Sequence, residues 1–239
     1  MKKLILLISA ICLFSCGKQK TIELPETLSS DTTEMEDYSP AYLFYNTENK
    51  DSIELNRKNL IITTNWVLHI DKRLKLYQAI PTIKILQAKK ADAKMHKNED
   101  AKNYLTVNDK TIENLGFIDF TETEFVYDTA FSKFYIDDNP EKFTETFPLT
   151  VNFKQNNGVT LNQTETTKEE LVDFIKEFSA ASAMGRAPLI YLNFDKHVTY
   201  QDYITDLQLV KKAIGDSIKL SPIQFIYDET KLPDCGCTL

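Results

Sequence analysis

LTVNFKQNNGVTLNQTETTKEELVDFIKEF (residues 149–178) and PLIYLNFDKHVTYQDYITDLQLVKKAIGDSIKLSPIQFIYD (residues 188–228) decide the fold. Leu149-Thr150-Val151-Asn152-Phe153 alternates with the period of a strand, Asn156-Asn157-Gly158 supplies turn residues, and Val159-Thr160-Leu161 alternates again, which predicts a hairpin. Thr166-Thr167-Lys168-Glu169 then reads as a capping box, with the Thr166 hydroxyl meeting the Glu169 amide and the Glu169 carboxylate reaching back. Leu171, Phe174, Ile175 and Phe178 follow at helical spacing until Gly185 and Pro188 end the run. Leu189 to Phe194 is a buried-looking strand that stops at Asp195-Lys196-His197. Thr199-Tyr200-Gln201-Asp202 opens a second helix, whose Tyr203, Ile204, Leu207, Val210 and Ile214 keep the helical period up to Gly215, and Ile223 to Tyr227 is the last strand. The order strand, strand, helix, strand, helix, strand predicts an α+β module: a mixed sheet with helices on one face.

The preceding half reads as a degenerate copy. Leu68-His69-Ile70-Asp71-Lys72 matches Leu192-Asn193-Phe194-Asp195-Lys196, and without a gap Ile80, Ile83 and Leu86 fall on Ile204, Leu207 and Val210. Ser52 to Asn56 matches Gly158 to Asn162, and Glu124 to Asp128 matches Gln224 to Asp228. Leu55 and Asp71 are 16 positions apart where Leu161 and Asp195 are 34 apart, so the first copy has no room for the capped helix. Asp71 to Asp128 is 57 positions against 33 from Asp195 to Asp228, a gain that takes in Lys89 to Lys102. That stretch lacks an apolar face and reads as a solvated helical extension. Two such modules are expected, over 41–130 and 148–232, joined by a connector at 131–147 with room for a strand of its own. Pro81 is placed in the first turns of its helix, where proline does least damage, and the lone Trp66 on the apolar side of a strand reads as core.

Lys2-Lys3, the apolar run Leu4 to Phe14 and then Ser15-Cys16 have the layout of a secretory signal over residues 1–15, too short to cross a hydrocarbon core of about 30 Å. Leu13-Phe14-Ser15-Cys16 resembles the lipobox of bacterial lipoproteins, which implies cleavage before Cys16 and acylation of its thiol. Several acyl chains at about 0.8 kcal/mol per buried methylene give a lasting anchor. Gly17 in place of an Asp after the lipidated cysteine favours an outer-membrane location in the cell envelope, with the body facing the periplasm. Residues 16–40 are rich in Thr, Ser and Glu, and read as a disordered tether that cannot repay its ordering entropy.

The segments quoted above, with Asp195 to Tyr200 between strand and helix, resemble the periplasmic domain of the ExbD/TolR biopolymer-transport family over roughly residues 148–228. The resemblance implies a non-catalytic binding or accessory module. Its implied partners are envelope proteins of a proton-channel or TonB-like complex, peptidoglycan, or a second copy in a homodimer. The family's working aspartate lies in a membrane helix, and no later run here approaches eighteen apolar residues. Only the periplasmic half of the family's task is therefore implied, as an accessory to transport or envelope integrity.

With 28 basic and 35 acidic residues the net charge is −7, and removal of Lys2 and Lys3 takes it to about −9, which argues against a nucleic-acid partner. No GxGxxG, GxxxxGK[ST], Gly-x-Ser-x-Gly or His-Glu-x-x-His pattern occurs, so no enzyme, cofactor or metal site is expected. Asp71 and Asp195, matched at strand ends, read as turn-fixing carboxylates, with recognition as the other role. Cys235-Gly236-Cys237, in a tail at 233–239, leaves open a disulfide or clip, a soft metal such as Cu(I), and thiol reactivity. An envelope metal-handling or thiol-active protein is accordingly the alternative function, and tandem modules used as structural spacers a third. His69, His96 and His197 are scattered in sequence and suggest no ligand set.

Overall fold

The computed structural model describes residues 20–93, 98–128 and 131–232. Over these the chain is a mixed α/β protein with two mixed six-stranded sheets and four α-helices. The first sheet is built from β1 (Glu26–Thr27), β2 (Tyr38–Tyr45), β3 (Ile53–Asn56), β4 (Asn65–Ile70), β5 (Asn103–Asp109) and β6 (Asn114–Asp119). β2, β4 and β5 are parallel, β3 pairs antiparallel with β2, and β6 pairs antiparallel with β5. Helix α1 (Leu76–Ala91) makes the crossover from β4 to β5. The second sheet is built from β7 (Glu124–Asp128), β8 (Thr146–Phe153), β9 (Val159–Leu161), β10 (Thr164–Thr166), β11 (Ala187–Asp195) and β12 (Lys219–Tyr227), in the order β10-β9-β8-β11-β12-β7. Helices α3 (Leu171–Ser182) and α4 (Tyr200–Lys211) make its crossovers, and α2 (Ser132–Asp137) lies between β7 and β8.

The order β3-β2-β4-β5 repeats as β9-β8-β11-β12 with the same strand directions. β4 corresponds to β11 and α1 to α4, as their sequence match predicts, and Ile80, Ile83, Leu86, Ile204, Leu207 and Val210 are all buried in one continuous core that includes Trp66. β3 corresponds to β9, but slid by two residues from the sequence match: Leu55 faces Leu43 as Val159 faces Phe153.

The match of Glu124–Asp128 to Gln224–Asp228 is overturned. β7 is the neighbour of β12 in the second sheet, paired in parallel from Ile223↔Glu124 to Tyr227↔Asp128. Adjacent strands share their two environments and so share a pattern, which a sequence match cannot tell from equivalence. The counterpart of β12 is β5, and Asp109-Lys110-Thr111 then falls on Asp228-Glu229-Thr230. With that anchor Asp71 to Asp109 is 38 positions against 33, so most of the insertion disappears.

Further expectations are corrected. Residues 20–37 are not a tether. β1 pairs with β5, the Lys72 amide donates to the Glu23 carbonyl at 2.7 Å, and Lys211 pairs with Asp31 at 2.9 Å. Backbone pairing and ion pairs order this polar segment, which composition does not register. The module boundaries at 41, 130 and 148 shift likewise, because β2 starts at Tyr38, β7 crosses to the second sheet and β8 starts at Thr146.

The connector holds a helix and a 3-10 turn at Pro140–Phe143 instead of a strand. Their Phe143, Tyr135 and Ile136 pack with Tyr191 and Phe225, so the second sheet is covered on both faces and not on one. The described residues of Lys89 to Lys102 form no solvated helical extension, since α1 ends at Ala91 and Lys90 is 7% exposed, while residues 94–97 lie outside the described residues.

The predicted capping box is one residue out of frame. Thr166 ends β10, and the Thr167 hydroxyl accepts the Glu170 amide at 3.3 Å ahead of α3. The cap of α4 is as predicted: Thr199 accepts from the Asp202 amide at 3.0 Å. Pro81 is the sixth residue of α1, and the Tyr77 carbonyl it leaves without an i+4 donor is met by the Tyr127 hydroxyl at 3.5 Å.

Candidate functional site

Asp71 directly follows the central strand β4 and Asp195 ends the central strand β11, and each must turn its chain into a helix five residues on. A short carboxylate there accepts the amide two residues ahead and closes the turn. Asp195 accepts the His197 amide at 2.7 Å and Asp71 the Arg73 amide at 3.1 Å. The Leu74 amide returns to the Asp71 carbonyl at 3.1 Å and the Val198 amide to the Asp195 carbonyl at 3.0 Å.

The two turns then bond to each other. The Leu76 amide donates to the Val198 carbonyl at 3.0 Å and the Tyr200 amide to the Leu74 carbonyl at 2.7 Å. The Tyr77 amide donates to the Lys196 carbonyl at 2.9 Å and the Gln201 amide to the Lys72 carbonyl at 3.1 Å. Adding 124 to the first-module member of each bond and subtracting 124 from the second-module member gives its mate, so the bonds are reciprocal about the Lys75↔Thr199 bridge, a local pseudo-twofold axis. First-turn amides of each helix, which need acceptors from outside the helix, find them in the other module.

The side chains differ between the two turns. Arg73 forks onto Asp71, Nε at 2.8 Å and Nη2 at 2.7 Å, and its Nη1 reaches Glu23 at 2.8 Å. That hydrogen bond to Asp71 raises the already high Arg73 pKa. His197 stands in the matching position, with Nδ1 2.9 Å from Asp195 and its ring edge-on to Tyr77 at 5.8 Å. At the neighbouring strand ends, Asp109 accepts the Thr111 amide at 2.9 Å and Asp228 the Thr230 amide at 3.1 Å. Lys196 binds Asp228 and holds its carboxyl down to about 2. All four aspartates are less than a tenth exposed and committed to turns, which is the structural role the sequence suggests for Asp71 and Asp195.

In open α/β sheets ligands sit in the crevice outside the carboxyl ends of the strands. Here the turns that follow β4 and β11 are bonded to each other, and beside them a cleft of about 370 Å³ stays open at the end of β2, lined by Phe44, Tyr45, Asn46 and Arg73. No family model, curated protein or solved structure matches the chain. The ExbD/TolR resemblance therefore rests on the sequence pattern alone.

Two clefts lie away from this junction. One of about 390 Å³ runs between Thr121–Thr123 of the first module and Leu207, Lys211 and Pro222 of the second. Another of about 420 Å³ is lined by Leu28, Lys168, Thr205, Gln208 and Lys212, and the Gln208 side-chain amide nitrogen there has no hydrogen-bond partner. Cys16, Cys235, Cys237 and His96 fall outside the described residues. Among the described residues no group of three His, Cys, Asp or Glu is arranged to hold a metal, and no helix is long and apolar enough to cross a membrane.

Sequence reasoning missed Lys90 and the Asp109/Asp228 correspondence. Lys90 lies at the end of the buried stripe Leu76, Ala79, Ile80, Ile83, Leu86 of α1, a helical spacing that could have marked it. Its ammonium lies 5.3 Å over the Trp66 ring and donates to the Lys102 carbonyl at 2.9 Å and to Asn103 Oδ1 at 3.1 Å, and burial lowers its pKa to about 8. It ties the end of α1 to the start of β5. His69 is stacked 4.7 Å from Tyr42 and is lowered by burial to about 4, so it is neutral at pH 7.

Proposed function

We propose that this chain is a non-catalytic, lipid-anchored protein of the bacterial cell envelope, held by an acylated Cys16 and serving as a binding or accessory module of the ExbD/TolR kind. The pattern of residues 2 to 16 supports the anchor and its outer-membrane placement, facing the periplasm. The observation that carries the non-catalytic reading is the reciprocal junction. The strand ends where a ligand would be received are spent on amide-to-carbonyl bonds between modules, and their carboxylates on turn closure.

An internally paired two-module body offers its outer faces and edge strands to a partner. Partners of the expected chemistry are a proton-channel or TonB-like envelope protein, or peptidoglycan. In vivo crosslinking of the lipidated protein, followed by mass spectrometry of the envelope fraction, tests this reading. Capture of one of those partners supports it, and capture of only itself or of unrelated surface proteins overturns it.

A further inference from the structure

We infer that the folded body rests directly on the bilayer surface, with the end of the first sheet around Phe44, Thr47 and Glu54 against the phospholipid headgroups. The inference deepens the proposed function and rests on its reading of Cys16 as the lipid-bearing residue.

The body takes hold of the chain almost at once. Lys20 pairs with Glu54 on β3. Three residues later the Glu23 amide donates to Asp71 Oδ2 at 3.2 Å, and the Glu23 carbonyl accepts the Lys72 amide at 2.7 Å. From Cys16 to Lys20 is four residue steps, which fully extended span at most about 14 Å. A thioether-linked diacylglyceryl group puts Cys16 at the boundary of the hydrocarbon, beneath a headgroup layer of roughly 6 Å per leaflet. About 8 Å of clearance remains, less than the roughly 10–12 Å diameter of one helix. No protein layer fits between this end of the body and its own membrane.

The charge of this surface suits that position. Lys20 pairs with Glu54 and Arg73 with Asp71 and Glu23, so charges of both signs meet at this end. Lys20, Arg73, Asn46 and Glu48 also line a cleft of about 370 Å³, with both signs of charge for the phosphate and amine of a zwitterionic headgroup.

The test uses the full lipidated protein in vesicles of phosphatidylethanolamine and phosphatidylglycerol with a headgroup-nitroxide lipid, in a Cys235→Ser, Cys237→Ser background. A fluorophore is placed at Thr47→Cys, beside Lys20, or at Met184→Cys, an 89% exposed site at the opposite end of the second sheet. Several-fold stronger quenching at position 47 than at 184, relieved by a ten-residue Gly/Ser spacer before Lys20, is the expected result. Equal quenching at both positions, in protein that floats with the vesicles and carries acyl chains on Cys16 by mass spectrometry, overturns the inference and leaves the anchor standing. Protein without acyl chains that does not float overturns the anchor itself, and with it the inference.

Discussion

The two halves of this molecule put different chemistry on one scaffold. At the turn that ends the central strand, the first half closes Asp71 with the guanidinium fork of Arg73, and the second closes Asp195 with the single imidazole nitrogen of His197. On the outer face, the first half sets Tyr42 beside His69 as an aromatic stack. The second half sets Asn152 beside Asn193 at the same strand positions. There Asn193 donates to Asn152 Oδ1 at 2.7 Å and to the Ser132 hydroxyl at 2.6 Å, and accepts the Ser132 amide at 2.8 Å. That network fastens α2 over the second sheet. Strand order is therefore set by the inward apolar residues the halves share, while what covers each sheet is set by outward residues that they do not.

Replacing the two aspartates breaks the comparison most directly. Asp71 is fully buried and its loss strands the Arg73 fork and the Glu23 amide, so Asp71→Ala is expected to cost about 3 kcal/mol. Asp195→Ala removes one amide bond and one half-exposed histidine contact and is expected to cost about 1 kcal/mol. Urea unfolding of both variants measures the difference, and equal losses would mean that the two turns are clamped alike.

The outer faces should separate by pH. Burial lowers His69 from 6.5 to about 4, so between those values the unfolded chain binds a proton that the folded chain does not. Stability from this group is full above pH 6.5, falls as pH drops through that window, and is lost by about pH 4, a change of roughly 2–3 kcal/mol. Phe at position 69 should remove that part of the slope in thermal melts at pH 4 to 7, whereas Asn193→Ser should leave it intact.

The smallest effect sharpens the symmetry. His197→Arg copies the first turn into the second and is expected to stabilise by less than about 1 kcal/mol, because the position is partly exposed. A destabilisation would show that the second turn lacks space for the fork.

Much of the second half was legible in its sequence, because its signals are local. The Thr199 cap, the left-handed Asn157 in the hairpin turn and the stripe from Tyr203 to Val210 each lie within a few residues of what they control. Asp71 and Asp195 could be read as turn residues for the same reason. What failed depends on distant neighbours: β7 imitates β12 because it lies beside it, and residues 20–37 are held by partners such as Asp71, Asn108 and Lys211. Thr166 was misread as a cap because its place in β10 is set by pairing with Val159.

By itself the sequence determined the hairpin, the two crossover helices and the last two strands of the second module, since backbone preference and apolar period are properties of short segments. It also determined the near-repeat of Asp-Lys between strand and helix, and the signal-like run before Cys16. Only the tertiary structure decided that the two turns bond reciprocally, that one strand of the first half crosses into the second sheet, and that the polar segment after residue 20 belongs to the body. Each of these is settled by backbone amides and carbonyls, which every residue carries alike, so their pairing leaves little mark on the side-chain sequence.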